Sequence, residues 1–535
     1  EDARVSGIGR ASVMIGAGTI VSRLTGFLRN IALVAVLSSV GAAGDAFTVA
    51  NQLPNNIYAV ISTGLLTAVI VPQIVRAGTH ADGGRAFISK LFTLGTVVLL
   101  VTTAAAVALA PWLVQLYAEK FSADQLALAT AFAYWCLPQI LFYGLYALLG
   151  EILNARKVFG PFTWAPIINN VVSIAGFVAF LFVFGGPRPQ VSEWTPPMIA
   201  VLGGTATLGI VVQAGVLLLF WRRAGLHVRP DFRWRGVGLR HVGRLAGWTF
   251  LMMLAGQLAG VVQSRVISPA SGDNPAQFAS ANAWLLFMLP YSIIVLSIGT
   301  PYFTRLSEHA TAGRDEDVRT DVGRSIRTLG VFIVIATAAL AVAAVPASRI
   351  FTTKPEQAVQ VAPVLLCFLV SLIPLAVLFV VQRTFYAYND TRTPFFFTLV
   401  QAALVVITAL IAGATLPLSQ LAAGVALGQS FASIVQVVIA TWLLHRRLGG
   451  IQTVSWVLAL GRFALAAVPA AAAGWLVFEA TGGIGGWMVA DRWLGAVGAA
   501  LIGVVCVVVY VVVLALLRAP ELGPALQTVR RLIRR

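Results

Sequence analysis

Two arginines, Arg23 and Arg29, lie in an apolar stretch near the start of the chain and are the side chains best suited to bind a charged substrate. The residues around them are mainly Ile, Val, Leu, Ala and Gly. An arginine near the centre of a bilayer costs about 2.5–3.5 kcal/mol on insertion scales unless it faces water or an anion. The pair therefore predicts a water-filled cavity that receives an anionic substrate.

The spacing of the two arginines leaves their orientation open. A separation of six residues places them roughly 120° apart on an ideal helix, so both need not face one cavity. Ser22 lies seven residues before Arg29 and shares its face, and glycines in the same stretch could bend the helix. Alternatively, one arginine snorkels to the membrane interface or braces a neighbouring helix.

Composition requires a membrane environment for these residues. The chain has 535 residues, of which 59% are hydrophobic and only 11% are charged, with a mean hydropathy of +0.87. Soluble proteins contain roughly 25% charged residues. Many apolar runs reach the roughly 20 residues that a helix needs to cross the hydrocarbon, and a helix satisfies its own backbone hydrogen bonds there. The sequence predicts an all-α polytopic membrane protein with about fourteen transmembrane helices, the second of them over 46–75.

The net charge of +17 is carried mainly by linkers between the apolar segments. Basic linkers alternate with linkers that hold few basic residues, so the positive-inside rule places both termini in the cytoplasm. The linker 223–244 interleaves Phe232 and Trp234 with arginines, a pattern compatible with nucleic-acid or specific lipid binding. We favour a linker that lies on the membrane surface among anionic lipids, and we expect no nucleic-acid partner.

Short motifs recur in the two halves of the chain. ILNARKVFGPF at 152–162 resembles FYAYNDTRTPF at 385–395, and FTVANQLPNN resembles FASANAWLLF. The matching elements have the same inferred orientation, which indicates a parallel repeat of two six-helix lobes. The predicted domains are an N-lobe of spans 1–6 (1–222), an interfacial linker (223–244), a C-lobe of spans 7–12 (245–447), and two extra C-terminal helices with a basic cytoplasmic tail (448–535).

Several of these motifs together resemble one known family. SRLTGFLRN, DAFTVANQLPN, Val71-Pro72, ILNARKVFGPFTWAPIINN and FYAYNDTRTP are similar to the MurJ (MviN) lipid II flippases of actinobacterial type. The resemblance implies the fold of the multidrug/oligosaccharidyl-lipid/polysaccharide exporter superfamily, with the last two helices forming a groove for a polyprenyl tail. The implied substrate is lipid II, the undecaprenyl-pyrophosphate-linked peptidoglycan precursor, moved to the outer leaflet of the bacterial cell membrane by alternating access.

The resemblance also assigns roles to particular polar residues. Arg23 and Arg29 match two family arginines, which implies that they bind the pyrophosphate, and a planar guanidinium can donate two hydrogen bonds to phosphate oxygens. Asn169 and Gln257 resemble cavity-lining polar residues of the family. The substrate-binding candidates are completed by Ser22, Asn51, Asn55 and Arg265.

The asparagines of the second span flank a proline. Asn51, Asn55 and Asn56 carry amides that could hydrogen-bond sugar, peptide or phosphate, and Pro54 can kink the helix and free a carbonyl. Amide hydrogen bonds between helices are the alternative interpretation.

The chain departs from the better-known family pattern at charged positions. Charged family residues are replaced here by Tyr58, Thr63, Trp284 and Tyr388, so part of a charged gate is missing. Arg265 could supply the lost cavity charge or anchor the membrane interface.

The remaining charged candidates concern gating. Asp45 matches a family aspartate, and Glu151 lies inside a predicted span, where it could pair with Arg156 or with an arginine of the first hairpin. The candidate gating or charge-pair residues are therefore Asp45, Glu151 and Arg383.

Catalytic and metal-binding signatures are missing from the sequence. We find no metal-ligand spacing, no Ser-His-Asp set and no GxxxxGK[ST] phosphate loop, which argues against an enzyme. We expect no cofactor and transport driven by the membrane potential or an ion gradient. Partners would be lipid II, anionic membrane lipids and other cell-wall synthesis proteins.

Three alternative functions stay open at this point. One is export of another lipid-linked oligosaccharide, and another is cation-coupled multidrug export within the same superfamily. The third is a non-transporting membrane scaffold for cell-wall synthesis.

Overall fold

A computed structural model describes residues 2–63, 74, 81–156, 158, 160–221, 223, 227–234 and 239–533 of the chain. The Val71-Pro72 motif lies outside these residues. The described chain is helical and contains no β-strand. Its contacts divide it into two compact units, Glu1–Ser268 and Pro269–Arg535.

The helices of the two units follow one another with short connections. In the first unit they are α1 (Asp2–Leu37), α2 (Ala42–Ile61), α3 (Arg85–Ala108), α4 (Ala110–Tyr117), α5 (Ala123–Cys136), α6 (Gln139–Ala155), α7 (Gly160–Phe184), α8 (Pro196–Trp221) and α9 (Leu239–Ile267). In the second unit they are α10 (Gln277–Pro290), α11 (Ser297–Thr311), α12 (Asp315–Val342), α13 (Ala344–Ile350), α14 (Pro355–Leu369), α15 (Leu372–Ala387), α16 (Arg392–Thr415), α17 (Leu418–Leu448), α18 (Thr453–Ala480), α19 (Trp487–Ala490), α20 (Arg492–Leu516) and α21 (Leu522–Ile533).

The described residues include 13 segments that are long and apolar enough to cross a membrane. An all-α polytopic membrane fold is thereby confirmed, because apolar length decides which segments can span a bilayer. The second predicted span, 46–75, begins as α2 and continues into 64–73, which lie outside the described residues.

Three of the spanning segments consist of two helices joined at a break. Ala123–Ala155 breaks between α5 and α6 beside Pro138, and Pro355–Ala387 breaks between α14 and α15. In Gln277–Thr311, α10 ends at Pro290 and a π-helical turn, Tyr291–Leu296, leads into α11. Prolines at or beside such positions remove a backbone donor and disturb the helical hydrogen-bond ladder.

The first unit is organised around α7, which packs against α1 on one side and α8 on the other. Gly18 permits the close approach of α1, because a Cβ atom there would lie 2.8 Å from Thr163 Cγ2 and 3.1 Å from the Trp164 ring. Helices α2, α5 and α6 pack beside this layer, with Phe47 edge-on to Phe132.

In the second unit, α12 packs against α11, α15, α18 and α20. The two C-terminal spans, α18 and α20, also contact each other, and a Cβ atom at Gly474 would lie 2.5 Å from Cys506 Sγ. Their small residues therefore bring these helices close together. The buried Tyr510 hydroxyl donates to the Val331 carbonyl oxygen at 2.8 Å and ties α20 to α12.

Helix α9 falls in the first compact unit because its described contacts are with α2 and α4. The sequence repeat instead assigns this helix to a C-lobe that begins at residue 245. The boundary between the compact units therefore lies after α9, whereas the predicted boundary lies before it. The grouping of residues 245–447 into one lobe stays a prediction.

Candidate functional site

A pocket of 580 Å³ opens in the first unit between α1, α6 and α7. It combines one arginine with hydroxyl, amide and aromatic groups. The residues that line it are Thr19, Ser22, Arg23, Tyr146, Asn154, Phe162, Thr163 and Pro166.

Among the described residues, Arg23 is the only charged side chain that lines this pocket. It is exposed, and it forms no ion pair with a carboxylate of the described residues. The helix that carries it is long and apolar enough to span a membrane. A guanidinium that keeps its donors available in this setting can bind an anion.

Ser22 and Asn170 hold α1 beside the pocket. Asn170 is buried, and its Nδ2 donates to the Ser22 carbonyl oxygen and to Thr25 Oγ1, both at 3.0 Å. This amide fixes the rotation of α1, and with it the direction in which Arg23 leaves the helix. Asn170 was missed by the sequence reasoning, and the adjacent pair of asparagines was the available signal.

Arg29 does not line this pocket. Its position six residues after Arg23 places it on a different face of α1. It is half-buried and interacts electrostatically with Tyr143 of α6. Tyr143 in turn stacks on Tyr58 of α2, with ring centroids 5.6 Å apart. The structure thus brings Ser22 and Arg23 together and places Arg29 on a neighbouring aromatic surface.

Tyr146 and Asn154 of α6 are pocket residues that the sequence reasoning did not select. Tyr146 stacks on Phe162 with ring centroids 4.8 Å apart and donates its hydroxyl to the Phe162 carbonyl oxygen. Asn154 belongs to the repeated ILNARKVFG motif, which was the only sequence signal for it. Both side chains offer polar atoms for a substrate that also carries sugar or peptide groups.

Similarity to known proteins identifies the family of this chain. The family model described as "Lipid II flippase MurJ" matches residues 34–490. The chain belongs to the lipid II flippase MurJ family. Members of this family are transporters and not enzymes, so this chain is a lipid II flippase in peptidoglycan synthesis and a multi-pass membrane protein.

Curated relatives agree with the family model. A probable lipid II flippase MurJ of Rhizobium meliloti (strain 1021) is 27% identical over 441 residues, covering 79% of this chain and 78% of the relative. One of Haemophilus influenzae is 25% identical over 403 residues, covering 70% of this chain and 75% of the relative.

Solved structures support the MurJ-type fold. A lipid II flippase MurJ in an inward closed conformation has a TM-score of 0.71 at 18% identity and covers 94% of this chain and 98% of its own. An inward-facing multidrug resistance MATE family transporter of the MOP superfamily has a TM-score of 0.65 at 16% identity, covering 83% of this chain and 99% of its own.

The asparagines expected from the MurJ resemblance in the second span have different surroundings. Asn51 accepts a hydrogen bond from Gln139 at 3.1 Å, and Asn56 donates to the Tyr117 hydroxyl at 3.3 Å. Asn55 is exposed. Amide bonding between helices, the alternative interpretation of these residues, is therefore present for Asn51 and Asn56.

Asn169 and Gln257 do not lie in the Arg23 pocket. Asn169 is buried between α7 and α8, where it donates to Gln213 Oε1 at 3.0 Å and accepts from the Ser173 hydroxyl at 3.3 Å. The Asn169 amide is therefore used in a contact between helices, and its place on the wall of a substrate cavity stays a prediction. Gln257 on α9 is half-buried and lies 3.7 Å from the Met253 sulfur.

Arg265 is held by the protein itself. Its Nη2 forms an ion pair with Glu119, and its Nη1 donates to the Leu116 carbonyl oxygen at 3.1 Å. Its charge is therefore neutralised locally, which argues against Arg265 as a replacement for a missing MurJ cavity charge.

The predicted pair between Glu151 and Arg156 is not formed. Arg156 Nη2 donates to the Gly83 carbonyl oxygen at 2.6 Å, and Glu151 is half-buried near Tyr58. Asp45 is buried in the first turn of α2, where a helix N-terminus favours negative charge.

Arg383 packs against aromatic rings in the second unit. Its guanidinium carbon lies 5.2 Å from the ring centroids of both Phe303 and Phe379. This cation–π arrangement stabilises the charge without a carboxylate. Arg383 forms no ion pair with any carboxylate of the described residues, so the expected charge pair is not present there.

The positions that lack MurJ-family charges carry uncharged side chains that have partners of their own. Tyr388 donates a hydrogen bond from its hydroxyl to the Asp315 carboxylate at 2.6 Å. Burial, and to a lesser extent the nearby Asp315 carboxylate, raise the pKa of Tyr388. Trp284 stacks on Phe287, and Thr63 donates to the carbonyl oxygen of Ala59.

Proposed function

We propose that the pyrophosphate of lipid II binds first to Arg23 in the pocket between α1, α6 and α7, and that alternating access then carries it from the inner to the outer leaflet. The observation that carries this proposal is the exposed Arg23, which lines a 580 Å³ pocket without a carboxylate partner among the described residues. Flipping breaks no covalent bond, so the site needs to bind and release an anion and to perform no further chemistry.

In this proposal, different residues of the pocket bind different chemical groups of the lipid II headgroup. Arg23 donates paired hydrogen bonds to the phosphate oxygens, and each charge-assisted bond contributes about 1.5–3 kcal/mol. Ser22 and Asn154 face the same pocket and can hydrogen-bond sugar or peptide groups. Tyr146 and Phe162 supply a flat apolar wall against which a sugar ring can pack.

Arg29 has a second role in the proposal. Because it lies near Tyr143 and outside the pocket lining, it attracts the pyrophosphate electrostatically while Arg23 binds it directly. The two arginines then act in sequence along α1, which is consistent with a substrate that moves.

The cellular setting of the proposal follows from charge distribution. We place the chain in the bacterial cell membrane with both termini in the cytoplasm, since basic linkers favour that side. Transport is driven by the membrane potential or an ion gradient without a cofactor. Anionic lipids and other cell-wall synthesis proteins are the proposed partners beyond lipid II.

Depletion complementation tests the arginine roles. In a bacterium depleted of its own lipid II flippase, Arg23→Ala and Arg29→Ala should each abolish growth and outward exposure of lipid II. Arg305→Ala, which removes an exposed arginine of α11 outside the described pockets, should leave both intact at equal expression. Normal flipping by both test variants would show that the arginine roles are wrong, although the family would stand.

A further inference from the structure

A second cavity, of 740 Å³, lies entirely within the second unit. It is bordered by α11, α12, α18 and the connection from α20 into α21, and it contains none of the residues of the Arg23 pocket. Its charged lining residues are Arg324, Arg327, Arg462 and Glu521. Three cations and one carboxylate leave this lining with two net positive charges.

The arginines of this cavity are only partly used by the protein. Arg327 Nη1 donates to the Ser455 hydroxyl at 2.6 Å, and Arg324, one turn earlier on α12, is exposed. Arg462 Nη2 contacts both oxygens of Glu521, at 2.7 and 2.9 Å, while its Nε is buried without a hydrogen-bond partner among the described residues. Donors therefore remain for an anion.

Part of the cavity wall is apolar. Val331 of α12, Leu458 and Ala459 of α18, and Ala525 of α21 line it beside the arginines. A cavity that offers guanidinium groups next to hydrocarbon suits an amphiphile with a negatively charged head better than it suits a free, fully hydrated anion.

Helix α21 adds an independent indication of a membrane surface. Arg530 and Arg531 lie in its last turn, whereas Leu526 and Val529 on the same helix are exposed apolar side chains. A short amphipathic helix with this composition typically lies in the interface plane of a bilayer. Its first residues, next to Glu521, form part of the cavity wall.

We propose that this cavity binds the phosphate headgroup of an anionic phospholipid. Arg324 and Arg327 contact the phosphate, the acyl chains run along Val331 and Leu458, and Glu521 competes with the phosphate for Arg462. The site is separate from the lipid II pocket, and lipid binding there does not depend on the proposed roles of Arg23 and Arg29.

Native mass spectrometry of the full chain, purified in neutral detergent without lipid II, tests the proposal. Titration with phosphatidylglycerol should give one saturable bound lipid, and phosphatidylcholine should bind much more weakly. Arg324→Gln combined with Arg327→Gln should weaken phosphatidylglycerol binding at least about tenfold. The matched control, Arg305→Gln with Arg314→Gln, removes the same charge from exposed positions outside the described cavities and should change binding little.

Other arms of the same experiment can overturn the proposal. Equal losses in the test and control variants, or equal binding of the two lipids, would show unspecific charge attraction. Inorganic phosphate that competes as well as phosphatidylglycerol would show a plain phosphate site in which the apolar wall has no role.

Two single variants keep the proposal testable if the double variant fails to fold. Glu521→Gln removes the competing carboxylate and should strengthen phosphatidylglycerol binding several-fold, whereas Arg324→Gln alone changes only an exposed residue and should weaken it. Unchanged affinity in both single variants would rule out a lipid phosphate at this position.

Discussion

In the first unit, Arg23 is exposed in a pocket and has no carboxylate partner among the described residues, whereas in the second unit Arg349 is only 5% exposed and donates three hydrogen bonds to carbonyl oxygens. The Arg349 guanidinium donates to the carbonyl oxygens of Thr352 and Val489 at 2.8 Å and of Ala490 at 3.1 Å. Neither arginine forms an ion pair with a carboxylate of the described residues. Because both side chains carry the same charge, the comparison teaches that burial and the number of donors left over, and not charge, separate a ligand-binding arginine from a structural one.

The largest expected effect tests the structural side of this comparison. Arg349→Ala removes three charge-assisted hydrogen bonds and leaves buried carbonyl groups unpaired, so we expect a loss of stability of about 3 kcal/mol or more. The thermal unfolding midpoint of the purified protein should fall by several degrees, and Arg23→Ala should leave it unchanged. A midpoint for Arg349→Ala equal to the wild type would mean that the three carbonyls find other donors.

A carboxylate introduced into the Arg23 pocket would bind the Arg23 guanidinium, so that Arg23, like Arg349, would have partners within the protein. Asn154→Asp adds a negative charge among the lining residues, which should occupy Arg23 and repel the pyrophosphate. We expect outward exposure of lipid II to fall about tenfold, which corresponds to about 1.4 kcal/mol of lost binding. The neutral variant Asn154→Ser should retain most activity, and an equal loss in both variants would point to shape and not charge.

The smallest expected effect concerns the spacing of helices beside Arg23. Gly18→Ala places a methyl group 2.8 Å from Thr163 Cγ2, and because that side chain can rotate, we expect destabilisation of only about 1 kcal/mol. Gly16→Ala on the same helix meets no atom within 4 Å and should be neutral or slightly stabilising. If the two variants have the same unfolding midpoint, the packing of α1 against α7 does not depend on this contact.

Much of the fold could be predicted because the length of an apolar segment alone determines whether it can span a membrane. The broken spans were harder to foresee, since Pro138 and Pro290 end helices while Pro166 lies inside α7. Local sequence does not decide between these outcomes, because neighbouring helices determine whether the freed backbone groups find partners.

The candidate site shows the same limit at the level of side chains. The apolar context of Arg23 was visible in the sequence. Which of the two neighbouring asparagines, Asn169 or Asn170, contacts α1 depends on the rotation of α7 about its axis, and only packing determines that rotation. The Arg265–Glu119 pair joins residues far apart in the sequence, and no local pattern indicates it. Residues Tyr146 and Asn154 were likewise recognisable only once α6 lay beside α1.

The π-helical turn Tyr291–Leu296 has a consequence for how α11 can move. Such a turn accommodates an extra residue, so its conversion to regular α-helix would rotate everything that follows by about 100° about the helix axis. Phe303, which packs on the Arg383 guanidinium, would turn away with α11 and leave Phe379 as the one of these two rings that still contacts that cation. The length of this one turn therefore sets which face of α11 is presented to α15.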